Sequence, residues 1–385
     1  MAAIRPRDLL SDALLERLGG TWREGRGDAG GARGAGLPEN WLAGVSGWAA
    51  GMPPASRDVA ATLHRDIAKL GDAGYLNVAL PPEFGGLGCT LRQAACGQRR
   101  LARHAPLTAL AVSAHLYWTG AAADAYRTGD DSVRWILLEA ARGALFAAGH
   151  DAAGGDLRFA DPRSRCEPAG KSGYRFSSPA VLSSLTPAWD WVAVHAVHSG
   201  GSARPDRSGA PDAPDAPGTP DTPDAPGRPD APGRPDAVLA FAGRGSRCTP
   251  AFRVARVQPV GTPGDVFTTS AMAWGHSILA SVQYSDARRA FNAAVAATAS
   301  TAAPGGAGHP LDQWPVAEAG LRLDAMKAKI AEITHPWPLV PWAAPDPGGQ
   351  RLISIFAMRH EVADGARQVL SLTARIANAP AVAAL

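Results

Sequence analysis

Ten histidines and four cysteines carry the ligating and nucleophilic potential of this 385-residue sequence, and their spacing limits what they can do. Cys89, Cys96, Cys166 and Cys248 are scattered. Only Cys89 and Cys96 lie close, at a spacing that suits neither a zinc site nor a redox pair, so all four read as reduced thiols. His195 and His198 fall near the end of an expected strand, where alternation sends residues three apart to opposite faces. His104 and His115 are eleven apart. Without acidic or cysteine companions, none of these histidines makes a metal site. His115, set in an apolar helical stretch, reads as a hydrogen-bonded core histidine. The glycine-rich segment GHDAAGGDL (Gly149–Leu157) lets backbone N–H groups come close to a phosphate or a flavin edge. The same composition also suits a plain turn between strands. No phosphate loop, HExxH, GxSxG or strand-borne GxGxxG accompanies it.

The elements that must position these residues follow from composition and periodicity. Apolar residues make up 46% and charged residues 19%, which is globular usage with ample length for buried cores. Thirty-eight basic against 35 acidic residues leave a net charge of +3, too balanced for a nucleic-acid or anionic-membrane grip. The opening MAAIRPRDLLSDALLERLGG is charged throughout and lacks an apolar signal core. The stretch Ala105–Ala123 contains Thr108, Ser113, His115 and Thr119, and so predicts a buried helix rather than a membrane span. The expected location is the cytoplasm.

An amphipathic start and a Gly/Arg loop precede a helix from about Ser56, where Val59, Leu63, Ile67 and Leu70 recur at helical steps. PPEFGGLG (Pro81–Gly88) breaks it, and three more helices follow: LRQAACGQRRLARHA, LTALAVSAHLYWTGAAADAYR and DDSVRWILLEAARG. Near Phe146 the texture turns to short runs, GYRFSS, DWVAVHAV, AVLAFAG and FRVARVQ, separated by Gly, Pro and Asp, which predict strands. Between 200 and 237 lies a tract of Pro/Asp near-repeats with almost no large apolar side chain, expected to stay extended and solvated as an insertion between strands. Helical periodicity returns in three long segments, with Val316, Leu323, Met326 and Ile330 on one face of the second. The expected organisation is an N-terminal α-helical domain over 1–145, a central β domain over 146–262 and a C-terminal α-helical domain over 263–385. The absence of βαβ alternation excludes a doubly wound nucleotide fold.

Three blocks, AGYLNVALPPEFGGLG (Ala73–Gly88), QRRLARHAPLTALAVSAHLYWTGAAAD (Gln98–Asp124) and LLEAARGALFAAGHDAAGGDL (Leu137–Leu157), resemble the acyl-CoA dehydrogenase family. GYRFSSPAVLSSLTPAWDWVAVHA (Gly173–Ala196) is similar to its middle-domain strand pair, and AWGHSILASVQYSDARRAFNAAV (Ala273–Val295) to its first C-terminal helix. The resemblance implies an α+β fold: an N-terminal helical domain, a central β-barrel and a C-terminal helical bundle. It also implies FAD between barrel and bundle, in a homodimer or homotetramer. The implied activity is α,β-desaturation of an acyl-CoA thioester, as in fatty acid metabolism, with hydride transfer to flavin. Onto this sequence it carries Phe146, Ala148 and Gly149 along the flavin edge, with Gly154 and Gly155 in the following loop. Leu182, Ser183 and Ser184 fall on a second flavin strand, where Ser184 keeps a hydroxyl for the cofactor.

The chain departs from that family as a divergent, shortened member. Gly149 and Gly155 replace a threonine and a serine, and Leu182 replaces an aromatic. The run between Phe252–Arg256 and Ser270 is short, and IANAPAVAAL stands where a glycine-rich turn and a glutamate base are expected. The alternative base position, on the first C-terminal helix, offers Gly275 and His276; His276 reads there as a helix-surface histidine. No catalytic residue is assigned. Beside the dehydrogenase reading stand a catalytically silent paralogue acting as an assembly partner, and a reduced-flavin monooxygenase on the same fold, which needs no glutamate.

Overall fold

A computed structural model describes residues 56–150, 165–169, 173–177, 182–183, 188–198, 237–243, 251–254, 256–259, 266–301, 310–335 and 350–378. The expected N-terminal helix, most of the Pro/Asp tract, and Gly154, Gly155 and Ser184 lie outside these residues. The helices are α1 (Ser56–Asp72), α2 (Leu91–His104), α3 (Pro106–Arg127), α4 (Arg134–Ala141), α5 (Val266–Thr301), α6 (Pro310–Thr334) and α7 (Gln350–Asn378). The strands are β1 (Phe146–His150), β2 (Arg165–Ala169), β3 (Gly173–Ser177), β4 (Leu182–Ser183), β5 (Trp191–His198), β6 (Ala237–Gly243), β7 (Ala251–Val254) and β8 (Arg256–Pro259). The order is helices, strands, helices, as the periodicity predicts. Ala237, the last residue of the expected Pro/Asp tract, already belongs to β6.

Local chemistry sets the helix ends. Thr90 and Gln93 form a reciprocal capping box at the start of α2, and Asp130 Oδ1 accepts from the Ser132 N–H ahead of α4. The PPEFGGLG turn is a short 3-10 helix, Pro82–Phe84, folded so tightly that a Cβ on Gly86 would lie 2.1 Å from the Leu80 carbonyl oxygen. Only glycine fits that approach. On α1, Leu63, Ile67 and Leu70 are buried, as their spacing requires. The second C-terminal helix begins at Pro310 and carries Pro315 inside it.

β5 is the spine of an eight-stranded sheet. One edge pairs antiparallel with β6 along its length, from Trp191↔Gly243 to Val197↔Ala237. The other edge is divided between β1 and β2, both parallel. β3 continues from β2 to β7, and β8 extends from β6. The resemblance implies a central barrel. Among the described residues the ladder is an open sheet, with β4 and β7 at the two ends of its path.

α3 ties the layers together. Thr108 Oγ1 donates to Asp66 of α1 at 2.8 Å, and Gln98 of α2 donates to Ser113 Oγ at 3.1 Å. Trp118 Nε1 donates to the Ala147 carbonyl of β1 at 3.2 Å. The first core runs through α1–α5 and the sheet; a second lies between α5, α6 and α7 around Leu323, Met326, Ile330, Val362 and Val369. Among the described residues no helix is long and apolar enough to cross a membrane.

Candidate functional site

β1 follows α4 and is anchored just before its start by Leu145, whose N–H donates to Asp190 Oδ2 at 2.9 Å while its carbonyl accepts from the Asp190 and Trp191 N–H groups. This clamp sets the parallel register Phe146↔Trp191 and Ala148↔Ala193. On its far side β1 pairs antiparallel with β4, Gly149 opposite Ser183 and His150 opposite Leu182. The fold thus brings the two sequence-predicted segments, Phe146/Ala148/Gly149 and Leu182/Ser183, onto neighbouring strands although they lie more than thirty residues apart. Gly154, Gly155 and Ser184 fall outside the described residues.

From Phe146 to Gly149 the side chains shrink through two alanines, before His150 ends β1. The Phe146 ring is fully buried in an aromatic cluster with Trp135 (5.9 Å), Phe241 (6.3 Å) and Trp191 (6.5 Å). Ala148 is buried and Gly149 is partly exposed. Gly149 thus leaves backbone partly exposed, whereas the Phe146 end is filled by packing.

Two buried polar residues of α3 hold this arrangement. His115 Nδ1 accepts from the Phe146 N–H at 3.3 Å, which leaves Nε2 protonated to donate to the Leu76 carbonyl at 2.9 Å. Burial depresses its pKa to about 4, against the opposing pull of the Leu76 carbonyl and Asp190. This is the core histidine that the sequence predicts. Asp124 accepts from Ser270 Oγ (2.6 Å), Trp274 Nε1 (2.8 Å) and Arg127 (3.0 Å), locking α3 to α5. Burial raises its pKa above the ordinary value while those donors pull it down. Sequence reasoning missed this pairing. Its one local signal is a carboxylate in an otherwise Ala-rich helix, and its α5 partners lie about 150 residues away.

At the alternative base position, Gly275 faces the Tyr117 ring. His276 is not on the helix surface, as the sequence reading has it, but only 7% exposed. The correction has a plain cause: α7 packs over this face of α5, and no local pattern announces a partner some 80 residues later. The Phe356 ring lies edge-on to His276 at 5.2 Å. Burial, reinforced by the Arg359 charge, lowers the His276 pKa to about 3. His276 is therefore neutral, and neither side chain here supplies a carboxylate.

The layered helices, the sheet and the terminal bundle define an acyl-CoA dehydrogenase-like fold. Solved structures share it. The chain is similar to the nitrososynthase of Micromonospora carbonacea var. africana, with 18% identity and a TM-score of 0.58 over 90% of this chain and 88% of that one. It is also similar to FMN-bound TdsC, a dibenzothiophene monooxygenase of Paenibacillus sp. A11-2, with 17% identity and a TM-score of 0.57 over 90% and 88% of the two chains. A third similar structure is KijD3 in complex with FMN and a dTDP-linked amino-keto sugar, with 17% identity and a TM-score of 0.58 over 82% and 76%. No protein-family model matches the chain, and no curated protein does.

Proposed function

We propose that this chain is a flavin-dependent monooxygenase that works with reduced flavin, rather than an acyl-CoA dehydrogenase. The observation that carries this reading lies at the alternative base position, where Gly275 and a buried, neutral His276 offer no carboxylate to accept an α-proton. Desaturating a thioester needs such a base; oxygenation of a small organic substrate does not. Support also comes from the fold's similarity to FMN-bound TdsC and to KijD3 with FMN and a dTDP-sugar. FMN is accordingly favoured over the expected FAD, and a small organic molecule over acyl-CoA.

The described residues fit a flavin at the Gly149–Ser183 end of the sheet. Gly149 is partly exposed there and carries no side chain to obstruct a ring. Ala148, Gly149, Leu182 and Ser183 would hold its edge, with Gly154, Gly155 and Ser184 continuing the same loop and strand; Phe146 supports the strand from the core. The flavin supplies the redox chemistry when bound. The chain's part is to hold it, exclude water and orient the substrate. A homodimer or homotetramer remains the expected assembly.

Titrating the purified chain with FMN and FAD and following flavin fluorescence tests this reading. Saturable binding, no bleaching by acyl-CoA thioesters under anaerobic conditions, and protein-dependent incorporation of labelled oxygen from O2 when reduced FMN is supplied with candidate small substrates are expected. Bleaching by a thioester would restore the dehydrogenase reading. Failure to bind either flavin would favour a silent assembly partner.

A further inference from the structure

α6 is apolar on two faces, and the bundle uses one of them. Leu323, Met326 and Ile330 are buried against α5 and α7. On the opposite face Trp314, Ala317, Leu321, Ala325 and Ala328 recur at steps of three and four residues and form one stripe. All five are exposed, Trp314 at 71% and Leu321 at 72%. The outer face of a bundle helix is ordinarily polar, and a continuous exposed apolar stripe marks an interaction surface. This stripe is symmetric about Leu321: positions 314 and 328 lie equally far from it, as do 317 and 325. An antiparallel second copy with its twofold axis at Leu321 therefore sets Trp314 over Ala328, Ala317 against Ala325, and Leu321 on itself. The largest side chain meets one of the smallest, as interdigitated packing requires. Charges fit the same axis. Glu318 and Arg322 pair at 3.8 Å along one flank of the stripe. In the antiparallel pair Glu318 of each copy also falls about 3 Å along the axis from Arg322 of the other. Asp324, on the other flank, meets Ala317 and Gly320 rather than a second carboxylate. A parallel copy would instead set Trp314 on Trp314 and Glu318 on Glu318.

We infer that the outer face of α6 is the contact between two copies of this chain, packed antiparallel about a twofold axis at Leu321. Such a contact is isologous, so one self-complementary stripe supplies both of its halves. The expectation of a homodimer or homotetramer names no surface; the stripe on α6 supplies one, together with its register. The contact is independent of the flavin reading, since it uses no residue of the sheet and its test needs no cofactor.

Sedimentation equilibrium of the full-length chain at micromolar concentration should give an even multiple of the chain mass. Leu321→Asp should halve that mass and leave the far-ultraviolet dichroism unchanged, because Leu321 is exposed within one copy. Should Leu321→Asp not fold, Ala328→Glu, which sets a charge beneath Trp314, carries the same test. The register is read separately. Leu321→Cys brings two thiols together at the axis, so mild oxidation should link the copies by a disulfide. Lys327→Cys, exposed but off the stripe, should not link them. A wild-type chain that sediments as a monomer, a mass that Leu321→Asp leaves unchanged, or a Leu321→Cys chain that links no better than Lys327→Cys would overturn the proposal. A wild-type monomer destabilised by Leu321→Asp would show instead that the face is covered from within the chain.

Discussion

His115 and Asp124 show how much of this fold hangs on single buried polar groups. His115 is held neutral, its pKa lowered from 6.5 to about 4 chiefly by burial. A base with a depressed folded pKa adds stability that is present above its unfolded value and lost as pH falls through the folded one. The unfolding free energy should therefore drop between pH 6.5 and about 4. The loss amounts to about 3 kcal/mol. His276 extends the same trend downward, to about pH 3. His115→Gln keeps a polar partner but cannot titrate, so urea unfolding measured across this range should show a flatter profile. Asp124→Ala strands the Ser270 hydroxyl and the Trp274 indole N–H in the core. It should cost about 3 kcal/mol in denaturant unfolding, because removing one partner of a buried network leaves the others unpaired.

At the level of elements, close approach decides what is tolerated. α3 meets α5 at Gly120, where a Cβ would lie 2.3 Å from the Trp274 ring. Gly120→Ala should lower stability by about 1–3 kcal/mol through overpacking. The smaller ring of Trp274→Phe should recover part of that loss, so the two substitutions couple in a double-mutant cycle. At the sheet, Gly149→Val adds a branched side chain where β1 faces Ser183 of β4. A strand accepts valine well, so the unfolding midpoint should hold while flavin fluorescence titration shows binding lost. Retained binding would move the cofactor away from this end of β1.

The whole molecule is linked through α3, which hydrogen-bonds to α1, α2, β1 and α5. One buried cluster passes from the N-terminal helices through the sheet into α5. Secondary structure and tryptophan environment should therefore be lost together, far-ultraviolet dichroism and tryptophan fluorescence giving superimposable unfolding curves. A separate early transition in one probe would show that the sheet or the bundle unfolds independently.

Element identity and order were legible along the chain because helix and strand periods are local. Leu63, Ile67 and Leu70 declare the buried face of α1, and AVLAFAG matches β6 to the residue. The predicted run FRVARVQ contributes to both β7 and β8, which pair with different strands, and no local pattern carries that choice. What packs on what was not legible. The Asp124 lock to α5 and the burial of His276 beneath Phe356 depend on contacts between residues some 80 to 150 positions apart. Periodicity says which face of a helix is apolar, but a polar residue's environment is set by whichever distant element comes to rest against it.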